Sequence, residues 1–339
     1  MLRSFVTRVV KKITGGVRSL LFFIKKPEKG SFEEHSINVN IKYFNAIILD
    51  RLLKFDASTQ KSSQNVEEKY RLSSMKLKGN KKHWYMKDGE IVKILSMQVN
   101  GMQMQEVIRV AEENDCRSVL EVGAGLLINL DYFLKNKPGI NVSAIDLSFN
   151  RLIDGKGIIQ QHHGIDIPVA KANAVSLPFP DDYFDLVYSR HALEHMPLDY
   201  KDVIDEMIRV SRKAVVLLEP SYELGGFSQK MKMTATHYVK GIKKYFDSRG
   251  IDLDEYRLLS VGPVYNRTAL YVIKHDAEAK APSEEITLDY CPDCKARMKK
   301  RLNEYLFCEE CETVYFIYDG VPVLDKRCGV GLSAELWKD

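Results

Sequence analysis

Apolar and polar positions alternate in a regular way over the middle of the 339-residue chain. From Ser96 to Lys274, short apolar runs are separated by longer stretches of helical period, which is the βαβ pattern of a parallel sheet covered on both faces. The apolar runs predict seven strands, at 118–122, 141–146, 167–171, 184–188, 214–219, 256–261 and 269–274. Helices are predicted near 98–114, 129–135, 150–162, 200–212 and 229–248. We therefore expect an α/β domain with a doubly wound, seven-stranded sheet over residues 96–278.

The preceding region, residues 31–95, has a mixed pattern. Alternating apolar side chains predict a strand over Ile37, Val39, Ile41 and Tyr43, whereas 46–53 has helical period. Residues 57–80 are polar and rich in Ser, Gln, Glu and Lys. We interpret 31–95 as an accessory region with a flexible middle, within a largely α-helical N-terminal part of the chain.

Residues 1–30 are predicted to form a basic amphipathic arm. They hold eight Lys or Arg and one acid, and apolar residues recur at helical spacing on both sides of Gly15-Gly16. Through residues 1–26 such a segment can lie on an anionic membrane surface. It can equally pack on the body of the protein, and an Arg-rich, acid-free start also fits a mitochondrial presequence. The sequence of residues 1–30 is compatible with all three interpretations.

Composition narrows the class of protein. Hydrophobic residues are 45% and charged residues 28% of the chain, which is typical of globular proteins. The longest aliphatic and aromatic run, 20–24, is far below the ~20 residues of a membrane span. Because the middle of the chain is nearly neutral, nucleic acid is not favoured as a partner. We expect a cytoplasmic protein that can also bind peripherally to a membrane.

Four of the six cysteines form two pairs near the C-terminus. Cys291 and Cys294, then Cys308 and Cys311, follow the pattern C-x2-C, thirteen residues, C-x2-C. This spacing is typical of two knuckles closing on one tetrahedral Zn2+. A disulfide framework is the alternative, but it belongs to short secreted chains. We predict a structural zinc site within a unit spanning residues 286–328.

Polar residues follow the predicted strands at the ends where a ligand would bind. Gly123 and Gly125 come directly after the first parallel strand, behind Glu121, and permit close approach of backbone to a ligand. Asp146 ends the second strand, where a carboxylate can accept both hydroxyls of a ribose. Asn173 and Ala174 follow the third strand, and the fourth leads into Arg190-His191-Ala192-Leu193-Glu194-His195.

These four elements, in this order, resemble the class I S-adenosylmethionine-dependent methyltransferases over about residues 96–275, which have a Rossmann-like sheet. The resemblance implies that Glu121, Gly123 and Gly125 line the methionine end of S-adenosylmethionine and that Asp146 holds the ribose. It further implies that Asn173 and Ala174 contact the adenine edge and that His191 lies near the sulfonium. Two positions depart from the family: Leu127 replaces a third glycine, and Asn173 replaces an acid.

Methyl transfer to an alcohol needs a base within reach of the acceptor. His191, Glu219 and His237 are the candidate catalytic residues, because they follow the fourth and fifth strands or lie in the segment before the sixth. His195 is also near, but we interpret it as structural.

The C-terminal unit resembles small zinc-ribbon proteins that activate methyltransferases of the translation machinery. Both have an aromatic strand and an Asp-Gly-Val-Pro-Val type turn after the last cysteine pair, here 319–323. The acceptor itself is not identified by the sequence. A saccharide, glycolipid or other small molecule is ranked above RNA or a translation factor, and a non-catalytic cofactor-binding protein remains an alternative.

Overall fold

The computed structural model describes residue 12 and residues 31–52, 82–275 and 286–331. The predicted amphipathic arm, apart from residue 12, and the predicted polar stretch at 57–80 lie outside the described residues. None of the described helices is long and apolar enough to cross a membrane.

Seven α-helices and fifteen strands make up the described part of the chain. The helices are α1 (Phe32–Leu52), α2 (Ser96–Glu113), α3 (Ile128–Asn136), α4 (Phe149–His163), α5 (Tyr200–Val210), α6 (Phe227–Ala235) and α7 (Ile242–Arg249). The strands are β1 (Lys82–Lys87), β2 (Glu90–Leu95), β3 (Ser118–Val122), β4 (Asn141–Asp146), β5 (Val169–Ala172), β6 (Phe184–Arg190), β7 (Ser211–Pro220), β8 (Glu255–Leu258), β9 (Val261–Pro263), β10 (Thr268–Lys274), β11 (Lys299–Arg301), β12 (Tyr305–Cys308), β13 (Thr313–Tyr318), β14 (Val321–Leu324) and β15 (Val330–Gly331).

One large mixed sheet organises the fold. Its order is β11-β12-β13-β14-β5-β4-β3-β6-β7-β10-β8, with β15 paired to β13, so it has twelve strands rather than the predicted seven. Neighbouring strands from β14 to β7 are parallel, whereas β10 runs antiparallel to β7 and β8. All five residues of β3 are buried, as expected for a strand covered on both faces. The carboxyl ends of β3 to β7 therefore meet at one edge.

The prediction of a strand over Ile37, Val39, Ile41 and Tyr43 is wrong, because the whole segment lies in α1. Those four positions also form two pairs spaced four residues apart, and such pairs lie on one face of a helix. Alternation over so few residues is therefore compatible with both structures.

Two further predicted elements are divided in the structure. The predicted helix 229–248 is two helices, α6 and α7, separated by residues 236–241. The predicted strand 256–261 is likewise two strands, of which β8 joins the large sheet and β9 pairs with β1 in a separate three-stranded sheet.

The C-terminal strands are also continuous with the large sheet, because β14 pairs with β5 through Val323↔Lys171 and Leu324↔Ala172.

Candidate active site

The turn between β3 and α3 is built around two glycines in left-handed conformation. Gly123 has φ +75 and Gly125 has φ +55. A Cβ at Gly123 would lie 2.5 Å from the Cβ of Ala192, in the loop after β6. Only glycine therefore lets the two loops approach this closely.

Asp146 connects this turn to the end of β4. Its Oδ2 accepts a hydrogen bond from the backbone N of Gly125 (2.8 Å), and its Oδ1 accepts one from Ser148 N (2.7 Å). Burial raises the pKa of Asp146, although these backbone donors act in the opposite direction. The carboxylate is thus fixed beside the glycine turn, and its other lone pairs can accept hydroxyl donors of a ligand.

Glu121 lies buried within β3, directly below the turn. Its Oε1 accepts a hydrogen bond of 2.6 Å from Asn129 Nδ2. Its Oε2 has no well-aligned hydrogen bond among the described residues, although the buried Tyr188 hydroxyl lies close enough to lower the pKa of the carboxyl group. Burial raises the pKa of Glu121 to about 7. A buried carboxylate oxygen without a well-aligned donor is costly, and a cationic ligand group such as an ammonium would satisfy it.

Asn173 and Ala174 lie in the loop after β5, as predicted. The Asn173 side chain accepts a hydrogen bond from Val175 N (3.3 Å) and so caps the 3-10 turn Ala174–Ser176. Ala174 is buried, with 7% of its surface exposed. Their place at the carboxyl end of the strand next to β4 agrees with a position beside the ligand of Asp146, while their predicted contact with adenine stays a prediction.

Glu219 holds the loop that follows β6. Its Oε1 accepts hydrogen bonds from Ser189 Oγ (3.1 Å), Ala192 N (2.9 Å) and Leu193 N (3.1 Å), and its Oε2 accepts one from Glu194 N (3.2 Å). The side chain is fully buried. These contacts hold the loop in place, and a catalytic role for Glu219 stays a prediction.

His191, Glu194 and His195 form a charged cluster in that loop. His191 Nε2 lies 2.9 Å from Thr268 Oγ1, and its Nδ1 lies 3.4 Å from Glu194 Oε2. His195 Nε2 lies 3.4 Å from Glu194 Oε1. Burial would raise the pKa of Glu194, but the neighbouring His191 and His195 outweigh it and lower the pKa to about 2. Glu194 is therefore an ionised carboxylate that faces both imidazole rings.

The third candidate base, His237, lies in the segment after α6, two residues before Val239, whose backbone N donates to Glu194 O (3.4 Å). It has φ +52 and follows α6 directly, and its backbone N donates to Thr234 O (3.3 Å). The next residue, Tyr238, packs its ring edge-to-face against His195 with centroids 5.2 Å apart. A catalytic role for His237 stays a prediction.

Several residues of the site were missed by sequence reasoning. Arg190 ends β6 and donates to Asn100 Oδ1 (2.7 Å) and Gln103 Oε1 (2.7 Å). Asn266 donates to Glu194 Oε2 (2.8 Å) from the turn before β10. Arg190 had a signal, since a cation at the end of an apolar strand is unusual, whereas Asn266 depends on the fold of distant segments.

Leu127, at the position where the resemblance implies a third glycine, has a left-handed conformation with φ +56 and is fully buried. A Cβ at Gly155 of α4 would lie 2.6 Å from Leu127 Cγ. The glycine in the facing helix therefore provides the space that the leucine side chain needs.

The four predicted metal ligands lie together. The Sγ atoms of Cys291, Cys294, Cys308 and Cys311 are all within 4.8 Å of one another. Sulfurs around one Zn2+ at about 2.3 Å would be about 3.8 Å apart, so a small contraction suffices. Cys291 and Cys308 are buried, and all four thiols are free of disulfides.

Comparison with known proteins identifies the class of the central part. Residues 120–218 match the methyltransferase domain family. A demethylmenaquinone methyltransferase of Anoxybacillus flavithermus is 38% identical over 95 residues, which are 27% of this chain and 40% of that protein. A probable chloroplastic tocopherol O-methyltransferase of Oryza sativa subsp. japonica is 34% identical over 100 residues, 29% of this chain and 27% of that protein. The chain thus spans less than half the length of these curated relatives.

The structure of the cyclase SpnF has the same fold, with a TM-score of 0.50 and 14% identity over 63% of this chain and 96% of that chain. This chain therefore contains a methyltransferase domain with an α/β, Rossmann-like fold. The matched domain agrees with the predicted enzyme class, an S-adenosylmethionine-dependent methyltransferase, at the level of the domain over residues 120–218. The relatives do not identify its methyl acceptor.

Proposed function

We propose that the whole protein transfers a methyl group from S-adenosylmethionine to a small lipophilic acceptor. Cofactor binding is supported mainly by the hydrogen bond from Gly125 N to Asp146 Oδ2, which fixes a carboxylate beside the glycine turn at the carboxyl ends of the strands. Glu121, with its unsatisfied oxygen, suits the ammonium end of the cofactor, and Asp146 suits the ribose. When bound, the cofactor supplies an electrophilic methyl group on a sulfonium.

Three aromatic side chains that pack on one another are proposed to form the acceptor side of the site. Phe32 of α1 packs edge-to-face on Trp84 (centroids 5.6 Å apart) and stacks on Tyr265 (6.2 Å). Tyr265 precedes Asn266, whose side chain donates a hydrogen bond to Glu194. The three aromatic side chains, here called the aromatic wall, therefore lie next to the loop that follows β6. An apolar or aromatic acceptor fits such a wall better than a polar saccharide, and the two relatives are named for demethylmenaquinone and tocopherol.

His191 is the base that this geometry favours for a hydroxyl acceptor. As the bond from methyl carbon to acceptor oxygen forms, the carbon–sulfur bond breaks and its electron pair stays on sulfur, so the acceptor must lose its proton. His191 can take that proton, with Glu194 behind its Nδ1 to stabilise the cationic ring. Thr268 fixes the ring through Nε2, and the proton transfer would require this contact to open.

The experiment uses S-adenosylmethionine with a labelled methyl group and three separate fractions of a cell extract: lipids, water-soluble small molecules and total RNA. We expect label in the lipid fraction. Label in RNA or in water-soluble material would overturn the acceptor class while leaving the methyltransferase assignment intact. Binding of S-adenosylhomocysteine without labelling of any fraction would favour a non-catalytic cofactor-binding protein.

We also propose that the four cysteines bind one structural Zn2+. Four thiolates fill a tetrahedral site, so the metal would have no open position for a substrate. Elemental analysis of protein purified from a reducing host should give one zinc per chain, and a value near zero would contradict the proposal.

The N-terminal arm, residues 1–26, stays a proposed contact with anionic membrane. Its seven cations and no acid support this proposal. Sedimentation with anionic liposomes, for the full chain and a chain lacking 1–26, tests it: equal recovery of both in the supernatant would contradict membrane binding.

A further inference from the structure

The first cysteine turn lies against the loop that follows β5. This contact arises because β14 pairs with the last two residues of β5, which brings the C-terminal unit to the carboxyl end of that strand. The loop after β5, residues 173–177, is the segment at which the proposed adenine end of the cofactor would bind. The cysteine unit is therefore adjacent to the proposed cofactor site, although none of the residues proposed to line that site belongs to it.

Lys295, the residue after Cys294, makes this contact. Its Nζ donates to Ser176 Oγ (3.0 Å), to Leu177 O (2.8 Å) and to Pro292 O (2.8 Å). An ammonium has three donors, and here each one has an acceptor. Two of the acceptors belong to the loop and one to the cysteine turn, so a single side chain joins the two segments.

Neighbouring groups complete the attachment of the loop. Ser176 Oγ donates to Pro292 O (3.2 Å), which is a second direct bond to the cysteine turn. From the other side, Glu206 of α5 accepts from Leu177 N (2.6 Å), and Arg209 Nη2 donates to Leu177 O (3.1 Å). The end of the loop is thus held between α5 and the cysteine turn, and Lys295 supplies the charged part of the second contact.

The backbone of Lys295 adds an independent observation. Its φ is +64, in the left-handed region that glycine adopts readily and that costs other L-residues roughly 1–2 kcal/mol. A glycine would satisfy the turn at lower cost, so a lysine here implies that its side chain has a use. Observed strain of this kind is a reason to look for function.

We propose that Lys295 is a positioning residue for cofactor binding, which holds loop 173–177 in the conformation that receives the adenine. The C-terminal unit thereby acts on cofactor affinity within the same chain. This inference rests on the proposed function, because it assumes that the loop contacts S-adenosylmethionine.

The test compares Lys295→Gly and Lys295→Met with Lys299→Met. Lys299 is a lysine of the same unit that forms an exposed ion pair with Glu309 (2.6 Å). Three quantities are measured on the full chain: the Kd for S-adenosylhomocysteine by calorimetry, the zinc content and the melting temperature. We expect Kd to rise about tenfold in both Lys295 variants, equivalent to about 1.4 kcal/mol, and to stay unchanged in the control.

The glycine variant separates positioning from general stability. It removes the ammonium and also relieves the left-handed backbone, so its melting temperature should fall less than that of Lys295→Met while its Kd rises equally. The KM for S-adenosylmethionine should rise with the KM for the acceptor unchanged. If both Lys295 variants bind S-adenosylhomocysteine as tightly as the wild type, the inference is wrong.

A variant outside the C-terminal unit covers the case in which the lysine variants lose zinc or fail to fold. Ser176→Ala removes a loop acceptor of Lys295 and the loop's own bond to Pro292 O, but changes no residue of the cysteine turn. We expect Kd to rise about threefold. An unchanged Kd in Ser176→Ala would then overturn the inference. Failure of the wild type itself to bind S-adenosylhomocysteine would instead overturn the proposed function.

Discussion

The centre of the large sheet and its C-terminal edge are stabilised in different ways. At the centre, β3 has all five residues buried, and its neighbours β4 and β6 contribute further fully buried side chains to two apolar clusters. At the edge, all three residues of β11 are exposed, and β14 is attached to β5 by two residue pairs. Burial of apolar surface extends into the C-terminal unit, since Leu306, Tyr315 and Leu324 belong to one of these clusters. The exposed outer strand and the short β14–β5 pairing nevertheless call for an additional source of folding free energy. Four convergent thiols provide that source if they bind metal.

The largest effect should come from removing one of those thiols. Cys308→Ser takes one ligand from the proposed zinc site, and small zinc units derive roughly 10 kcal/mol or more of folding free energy from the metal. We expect loss of zinc and loss of amide protection over residues 286–331, with protection over 118–218 retained. Hydrogen exchange followed by mass spectrometry measures both regions in one experiment. One zinc per chain with unchanged protection in the variant would show that the edge is held without the metal.

A pH-dependent effect is expected from the centre of the molecule. The pKa of Glu194 is lowered from an ordinary 4.5 to about 2 because His191 and His195 outweigh its burial. A depressed pKa stabilises the fold above the unfolded value, and that contribution is lost as the pH falls from about 4.5 to about 2. Glu194→Gln should therefore cost about 3 kcal/mol at pH 5.5 and progressively less toward pH 2.

Denaturant titrations of the wild type and Glu194→Gln at several pH values measure this difference. A constant difference in unfolding free energy from pH 5.5 to pH 2 would show that Glu194 contributes by packing alone. In either case the zinc content should stay the same, since the cluster lies in the loop after β6 and not in the cysteine unit.

The parts of the site that sequence reasoning found are local in the chain. Gly125 and Asp146 each follow an apolar strand directly, and parallel neighbours bring such positions to one edge, where the two residues form a hydrogen bond. The cysteines were found for the same reason, since their spacing is a local pattern and their sulfurs do converge. The strand-by-strand motifs thus predicted the central fold well.

The parts that were missed depend on contacts between distant segments. Thr268 reaches His191 across 77 positions because β10 inserts antiparallel beside β7, and no local pattern specifies that register. The antiparallel strand also brings Asn266 to Glu194. In the same way, the pairing of β14 with β5 is set by how the cysteine unit packs, and its sequence alone resembles that of a separate small domain.

A substitution at Asp146 should weaken cofactor binding at the central site without disturbing the C-terminal edge. Asp146→Ala removes the carboxylate proposed to hold the ribose, and loss of charge-assisted hydrogen bonds should cost about 1.5 to 3 kcal/mol, or roughly ten- to a hundredfold in affinity for S-adenosylhomocysteine. Calorimetry measures the affinity, and the zinc content serves as the control. An unchanged affinity in a folded variant would exclude Asp146 from the binding site.

The smallest effect tests how α4 accommodates Leu127. Gly155→Ala gains roughly 0.5–1 kcal/mol of helix propensity but places a Cβ 2.6 Å from Leu127 Cγ, and overpacking costs about 1–3 kcal/mol. The clash should win, because the backbone carbon of Leu126 also lies 2.8 Å from the added atom and cannot rotate away. Gly157 in the same helix has no atom within 4 Å, so Gly157→Ala should stabilise the protein through propensity alone. Thermal unfolding of the two variants should therefore shift in opposite directions, and equal shifts would show that Gly155 is not what makes space for Leu127.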